Sequence, residues 1–472
     1  MKYRICLTFL CIFLSLCFLP VKAQKEQKAL DIFLQLESLK QAGIGLKVWN
    51  LSRGEVLVSH NEHTSLVPAS TLKLVSIAAA LETLNPDFQF KTPLYYSGEI
   101  TKDGVLQGDL ILEGRNDPSL GSQFAGLSVE FISQTILTTL KEAGIKSING
   151  RVIVDDLVSR KKPLFPLKWM WEDLGNYYAP GIYGVSFMDN AYELILRSGG
   201  KNESMKIVGT NPHISNLKFE NEVQITNTED NNVYINGIPY LSDRILSGTM
   251  KENQSVYRLK GEIPDPAYFC ASWMTELLKM NQIPVSGAPT TSRLLKTPLP
   301  GRKLLYSFTS PILSELMTVV NFRSNNHYAE HILTQLEQES GQKLDEYWRS
   351  KGLNTAGQFL HDGSGLSPAN ALSARFLTDI LIYMHDKSAY SQAFFQSLPL
   401  AGREGTVSSF LRGTILEGKA RIKSGSMSNV QAYSGYIYNG DKTFAFTILI
   451  NNYTGTRAEL RRQIERLLCG IF

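Results

Sequence analysis

Cysteine is scarce and poorly placed for cross-linking. Of five in 472 residues, Cys6, Cys11 and Cys17 sit in the first seventeen positions, leaving Cys270 and Cys469. One pair cannot build a disulfide framework, and two unpaired, buried thiols is the favoured reading. An excess of one charge is also missing. Lys+Arg number 48 against 44 Asp+Glu, a formal +4, which is too balanced for a nucleic-acid groove. Internal repeats and low-complexity tracts are absent. Beyond the first twenty residues no apolar run is long enough to span a bilayer. What remains is an ordinary globular composition, 43% hydrophobic and 19% charged, which excludes disorder, collagen and coiled coil. At roughly 150 residues per domain the length predicts two or three domains.

The first residues are a targeting signal. Lys2 and Arg4 precede an apolar run from Ile5 to Leu19, then Pro20 and Val21-Lys22-Ala23. A basic start, an apolar centre and a small residue make a secretory signal peptide over residues 1–23, with cleavage expected after Ala23. The run is shorter than the ~20 residues of a spanning helix, which disfavours a retained anchor. Leu16 before Cys17 stands where a lipoprotein signal carries a small residue. The mature chain is therefore expected in the periplasm or outside the cell, with no membrane span.

Hydrophobic spacing predicts an amphipathic helix over 28–42, ended by Gly43-Ile44-Gly45. A hairpin follows over 46–60, then an Ala-rich, nearly uncharged helix from Ser70 to Leu81, read as buried. The middle, about 88 to 295, is rich in short strands and turns, with one strand–helix–strand unit around a helix over 129–143. Helices return after Pro311. The chain ends in a three-strand meander and a helix over 457–468. One sheet built from both ends, with the middle inserted, is the expected α/β (α+β) architecture. The expected domains are 24–87 with 296–472, an inserted β-rich domain of 88–107 with 190–295, and a small α/β domain of 108–189.

Three short motifs could carry chemistry. Ser70-Thr71-Leu72-Lys73 is a Ser-x-x-Lys, and four others begin at Ser159, Ser198, Ser215 and Ser340. Only Ser70 opens an apolar helix. Three-residue spacing puts Ser70 and Lys73 on one face. A desolvated Lys loses affinity for its proton, and a neutral amine can then activate a Ser hydroxyl. The bland alternative is an N-cap serine with a snorkelling lysine. Ser324-Asn325-Asn326 precedes a helix and reads equally as its cap. Lys423-Ser424-Gly425 lies on a predicted strand, where the Gly would let a substrate backbone come close.

In this order and these contexts the three motifs resemble those of penicillin-recognising serine enzymes. The chain is similar to the D-alanyl-D-alanine carboxypeptidase/endopeptidases, the class C low-molecular-mass penicillin-binding proteins. Gly108–Gly114 with Asp117-Pro118, Asp362-Gly363-Ser364-Gly365-Leu366-Ser367, and Leu398–Gly402 with Gly405-Thr406 extend the likeness. So does the long gap from Ser70 to Ser324. Asn325 and Ser424 stand where Asp and Thr are common in the family.

The resemblance implies a penicillin-recognising peptidase domain from both chain ends with two smaller domains nested between. It also implies peptidoglycan stem peptides ending in D-Ala-D-Ala as substrate, β-lactams as inhibitors, and no cofactor or metal. Ser70 would be the nucleophile and Lys73 the base, its proton affinity lowered by burial and by Lys423. Ser324 would relay a proton, and Asn326 would hold Lys73 and the substrate amide. Lys423 and Ser424 would take the terminal carboxylate. Gly425 would allow close approach, and the N–H groups of Ser70 and Ser426 would form an oxyanion hole.

The alternative readings are a serine β-lactamase or esterase on the same scaffold, and a catalytically dead wall-binding protein. His327-Tyr328-Ala329-Glu330-His331 also matches the His-x-x-Glu-His of inverted zinc peptidases, with Glu404 as a conceivable third ligand. His361-Asp362 beside a glycine-rich loop is the one hint of a Ser-His-Asp triad.

Overall fold

The structure is a computed structural model describing residues 21–472 except 125, 158–163, 202, 228, 296–298 and 300, with backbone alone for 21–24. Most of the expected signal segment (residues 1–20) and Ser159 lie outside the described residues.

Both ends of the chain build one antiparallel sheet. Its strands are β1 (Gly43–Asn50), β2 (Glu55–His60), β3 (Ala420–Met427), β4 (Val430–Asn439) and β5 (Lys442–Asn451). They lie in the order β2-β1-β5-β4-β3. The termini meet where β1 pairs with β5, from Gly43 opposite Asn451 to Asn50 opposite Phe444. Alternation along each strand sends side chains to opposite faces. Ala432, Tyr436, Ala445 and Leu449 pack against α1 (Lys73–Leu84) and α2 (Asn326–Ser340). Tyr433, Ile437, Phe446 and Ile448 pack against the helix Val21–Leu34 and α3 (Arg457–Ile471). The result is helix–sheet–helix, with β3 as an edge strand.

The Ala-rich helix is central, as its composition predicted: ten of the twelve residues of α1 are buried. The helix expected over 28–42 instead stops at Leu34, because Leu36 is extended (φ −62°, ψ 134°). The glycines expected to end it are the first residues of β1.

Strand pairing reverses the expected nesting of the middle. Lys91–Ser97 was grouped with residues 190–295, yet it pairs with Leu110–Glu113 and with Arg302–Thr309. Leu110–Glu113 runs parallel to Val152–Asp155, with the helix Val129–Glu142 in the crossover. Helix Pro266–Met280 joins this core through Ala267, Cys270 and Met274, beside Leu94, Leu112 and Phe308. Strands between Ala191 and Glu262 form two small sheets of their own. The β-rich unit is thus nested within the α/β unit. The physical reason is shared burial: Leu94 and Phe308 fill one core although about 200 residues separate them.

Cys270 and Cys469 are both free, the first buried and the second half-buried. Among the described residues no helix is long and apolar enough to cross a membrane.

Candidate active site

Ser70 sits on a tight turn at the head of α1. Residues Ala69–Leu72 form a single 3-10 turn that runs into the helix. Ala69 has φ +46°, a left-handed conformation unusual for alanine. It is held from above by Gly365, whose added Cβ would lie 2.0 Å from the Ala69 carbonyl oxygen. One turn on, Lys73 is fully buried. Its Nζ donates to Ser70 Oγ at 2.9 Å, to Asn326 Oδ1 at 2.6 Å and to the Ser364 carbonyl at 2.6 Å.

Ser324 and Asn326 flank the start of α2. Ser324 closes the preceding helix, Leu313–Arg323, in a left-handed conformation (φ +53°). Asn325 caps α2 by accepting from the Tyr328 N–H at 3.0 Å. Asn325 thus does the capping, while Asn326 Oδ1 accepts from Lys73 and Ser324 Oγ accepts from Lys423. Asn326 Nδ2 is fixed by the Tyr178 carbonyl at 2.7 Å.

Lys423 faces the same space from edge strand β3 and is fully buried. It donates to Ser324 Oγ at 2.9 Å and to the Ser424 carbonyl at 2.6 Å. Ser424 Oγ bonds Thr406 Oγ1 at 2.8 Å. Gly425 packs against the turn that carries Ser70: a Cβ there would fall 2.7 Å from the Pro68 carbonyl and 3.0 Å from the Ser70 nitrogen. That close approach by itself requires a glycine at this position. Ser70, Ser324, Asn326, Ser424 and Ser426 all line one cleft of about 840 Å³.

Burial lowers the pKa of Lys73 to about 7, while Asp362 and Glu330 pull it upward. Burial, then the nearness of Lys73, holds Lys423 well below the usual lysine range. The expected depression of Lys73 by Lys423 is thus not the main cause. Desolvation is the first cause for both amines, and each disfavours the charged form of the other.

The zinc reading is corrected. Glu330 is used by the backbone: it accepts from the Gly363 N–H at 3.0 and 3.1 Å and from the Ser364 N–H at 2.8 Å. His331 contacts the Asn116 carbonyl through Nδ1 and Ser186 Oγ through Nε2. Glu404 accepts from the Leu400 N–H. Among the described residues no three His, Cys, Asp or Glu gather as a ligand set. A triad has no support either, since Asp362 accepts from the Gly365 and Ser367 N–H groups, Asn370 Nδ2 and Trp169 Nε1. Of the other Ser-x-x-Lys serines, Ser198 bonds the Lys251 carbonyl, Ser340 bonds the Gln342 carbonyl, and Ser215 is exposed.

The sequence marks Thr406 and Ser364 only as part of the likeness, with no role in the site, and gives no sign of the Tyr178 carbonyl. Nor does it mark Glu172, Asp173, Arg457 or Arg461, which line the cleft further out. Backbone acceptors leave no residue-type signal, and isolated surface charges leave a weak one.

The model of the D-Ala-D-Ala carboxypeptidase 3 (S13) family matches residues 26–468. The D-alanyl-D-alanine carboxypeptidase of Actinomadura sp. (strain R39) is 27% identical over 448 residues, covering 90% of this chain and 81% of that protein. The crystal structure of penicillin binding protein 4 (dacB) from Haemophilus influenzae superposes with a TM-score of 0.78 at 22% identity. That match covers 93% of this chain and 98% of the other. The same protein complexed with a β-lactam matches with a TM-score of 0.74, also at 22% identity and over the same shares of the two chains.

Proposed function

The chain belongs to the D-Ala-D-Ala carboxypeptidase 3 (S13) family of peptidases, and from that premise we propose an exported serine-type D-Ala-D-Ala carboxypeptidase. It acts on peptidoglycan stem peptides, with peptide cross-links as a second substrate, through an acyl-enzyme on Ser70. The observation that carries this reading is a buried amine, its pKa lowered to about 7, hydrogen-bonded to a serine hydroxyl in an open cleft.

Ser70 Oγ attacks the carbonyl of the D-Ala-D-Ala bond and passes its proton to neutral Lys73. The N–H groups of Ser70 and Ser426 stabilise the oxyanion, a contribution of about 3 kcal/mol per donor. The tetrahedral intermediate collapses as Ser324 protonates the leaving D-Ala nitrogen and takes a proton from Lys423. Water then attacks the acyl carbon and gives its proton through Ser324 to neutral Lys423, while Lys73 returns its proton to Ser70 Oγ as the ester bond breaks, which restores both amines. A substrate carboxylate arriving beside Lys423 and Ser424 favours the charged form of that lysine, so binding readies the proton it supplies.

β-Lactams mimic the scissile amide and stop at the acyl stage. Intact mass after penicillin treatment, with peptide mapping, tests the reading. One adduct on Ser70 is expected. An adduct on Ser159, Ser198, Ser215 or Ser340 with Ser70 unmodified overturns it.

A further inference from the structure

Glu330 is the buried carboxylate that the proposed chemistry leaves unused. It projects from α2 under the loop Gly363–Ser364 and is 1% exposed. Its two oxygens take both N–H groups of that loop, at 2.8 to 3.1 Å. The same loop presents the Ser364 carbonyl to Lys73 Nζ at 2.6 Å, and the Gly363 carbonyl to Ser76 Oγ at 2.7 Å. The loop is thus clamped between a carboxylate behind and an amine in front. Asp362, next in the chain, is itself tied by four donors.

We infer that Glu330 is a positioning residue for Lys73: it orients the Ser364 carbonyl onto the amine and sets a carboxylate behind it. The inference rests on the proposed acyl-transfer reading. It accounts for the Glu of the His-x-x-Glu-His motif without a metal.

The charged neighbours set the sign. Lys73 is faced by Glu330 and Asp362, both of which favour its protonated form, and by Lys423 across the cleft, which does not. Glu330 is faced by Asp362 from the loop, and burial and that neighbour both push its own pKa upward. His331 and His327 lie on its own helix, and burial lowers the pKa of both. A cavity of about 350 Å³ behind Glu330 and Asp362 adds Lys168, Glu337, Lys343 and His361. Removing the Glu330 charge therefore frees Lys73 of its proton at lower pH. The acid limb of the rate should move down, opposite to what loss of a general base gives.

The experiment is the pH profile of penicillin acylation of the full mature chain, read by intact mass. For Glu330→Gln the acid limb should fall by about one pH unit, while the plateau drops severalfold because the amide NH2 sets a donor against the Gly363 N–H where Glu330 Oε2 now accepts. Glu330→Asp keeps the charge but not the reach, so its limb should stay and its plateau should drop. A Glu330→Gln limb superimposable on that of the parent overturns the inference, whatever the plateau. Should that variant not fold, Glu330→Asp decides: an unchanged plateau or a shifted limb overturns it. Failure of the parent chain to acylate at Ser70 at any pH is a different outcome and defeats the proposed function instead.

Discussion

The two cleft lysines of residues 43–84 and 311–471 differ from Arg293 and Arg302 of residues 88–309 in how their charges are answered. In the insertion, Arg302 meets Glu113 at 2.6 Å and Asp155 at 2.9 Å, and Arg293 pairs with Asp156 and Asp265. These cations are matched by anions and tie strands together. In the outer segments the two cleft lysines hydrogen-bond only neutral oxygens. Lys73 meets a hydroxyl, an amide and a carbonyl, and Lys423 meets a hydroxyl and a carbonyl. A buried amine with an anionic partner keeps its proton. One with neutral partners pays desolvation without repayment and releases the proton near neutral pH. An arginine between anions therefore holds structure in one region, while a lysine among neutral oxygens can give up its proton in the other.

Giving Lys73 an anion should break that contrast most severely. Asn326→Asp places a carboxylate where Asn326 Oδ1 now accepts from Lys73 at 2.6 Å. Opposite charge favours the ammonium, so the pKa rises from about 7 by roughly 1–3 units. Less free amine remains at pH 7. D-Ala release should fall there by about a hundredfold and recover as pH rises through the new pKa. A pH–rate profile checks this, and an unmoved acid limb would remove Asn326 from the control of Lys73.

Removing the second amine should cost less. Lys423→Ala takes away the donor to Ser324 and the cation expected to meet the substrate carboxylate. Hydrogen bonds to charged groups are worth ~1.5–3 kcal/mol, so kcat/KM for carboxylate substrates should drop at least about tenfold. A neutral ester or thioester never makes the carboxylate contact and should lose less. Equal losses on the two substrates would mean that Lys423 serves Ser324 without gripping the carboxylate.

Much of this site was legible in sequence because its reactive side chains come from three compact motifs, each with a strong local context. Ser70 stands before an apolar helix, Asn325 before another, and Lys423 on an alternating strand. The sheet from both chain ends was legible for the same reason: β1–β2 and β3–β5 are short runs rich in β-branched, aromatic and other apolar residues, joined by tight turns. The insertion was harder. Its strands are short, several have four residues or fewer, and pairing among them is set by burial across long stretches of chain. Periodicity cannot show that Lys91–Ser97 pairs with Arg302–Thr309. The purpose of Glu330 was hidden because its partners are backbone N–H groups, while its spacing to two histidines imitates a metal motif.

The smallest effect on turnover should come from the insertion's own charge pairs. Arg302 is about one quarter exposed, and its partners Glu113 and Asp155 are almost fully buried. Arg302→Met keeps an apolar stem but removes the guanidinium, whose carbon lies 5.6 Å from the centre of the Tyr95 ring. Breaking a fully buried pair costs about 3–5 kcal/mol. Here Arg115 still reaches Glu113 at 2.7 Å, and Arg302 is partly solvated, so the loss of stability should be nearer ~1–3 kcal/mol. None of Arg302, Glu113 and Asp155 lines the cleft. Thermal denaturation should therefore show a lower midpoint, while kcat/KM of the folded enzyme at 25 °C stays within about twofold of the parent. A turnover loss as large as that of Lys423→Ala, in protein still fully folded, would show that the strands of the insertion position the cleft and would erase the contrast between the two regions.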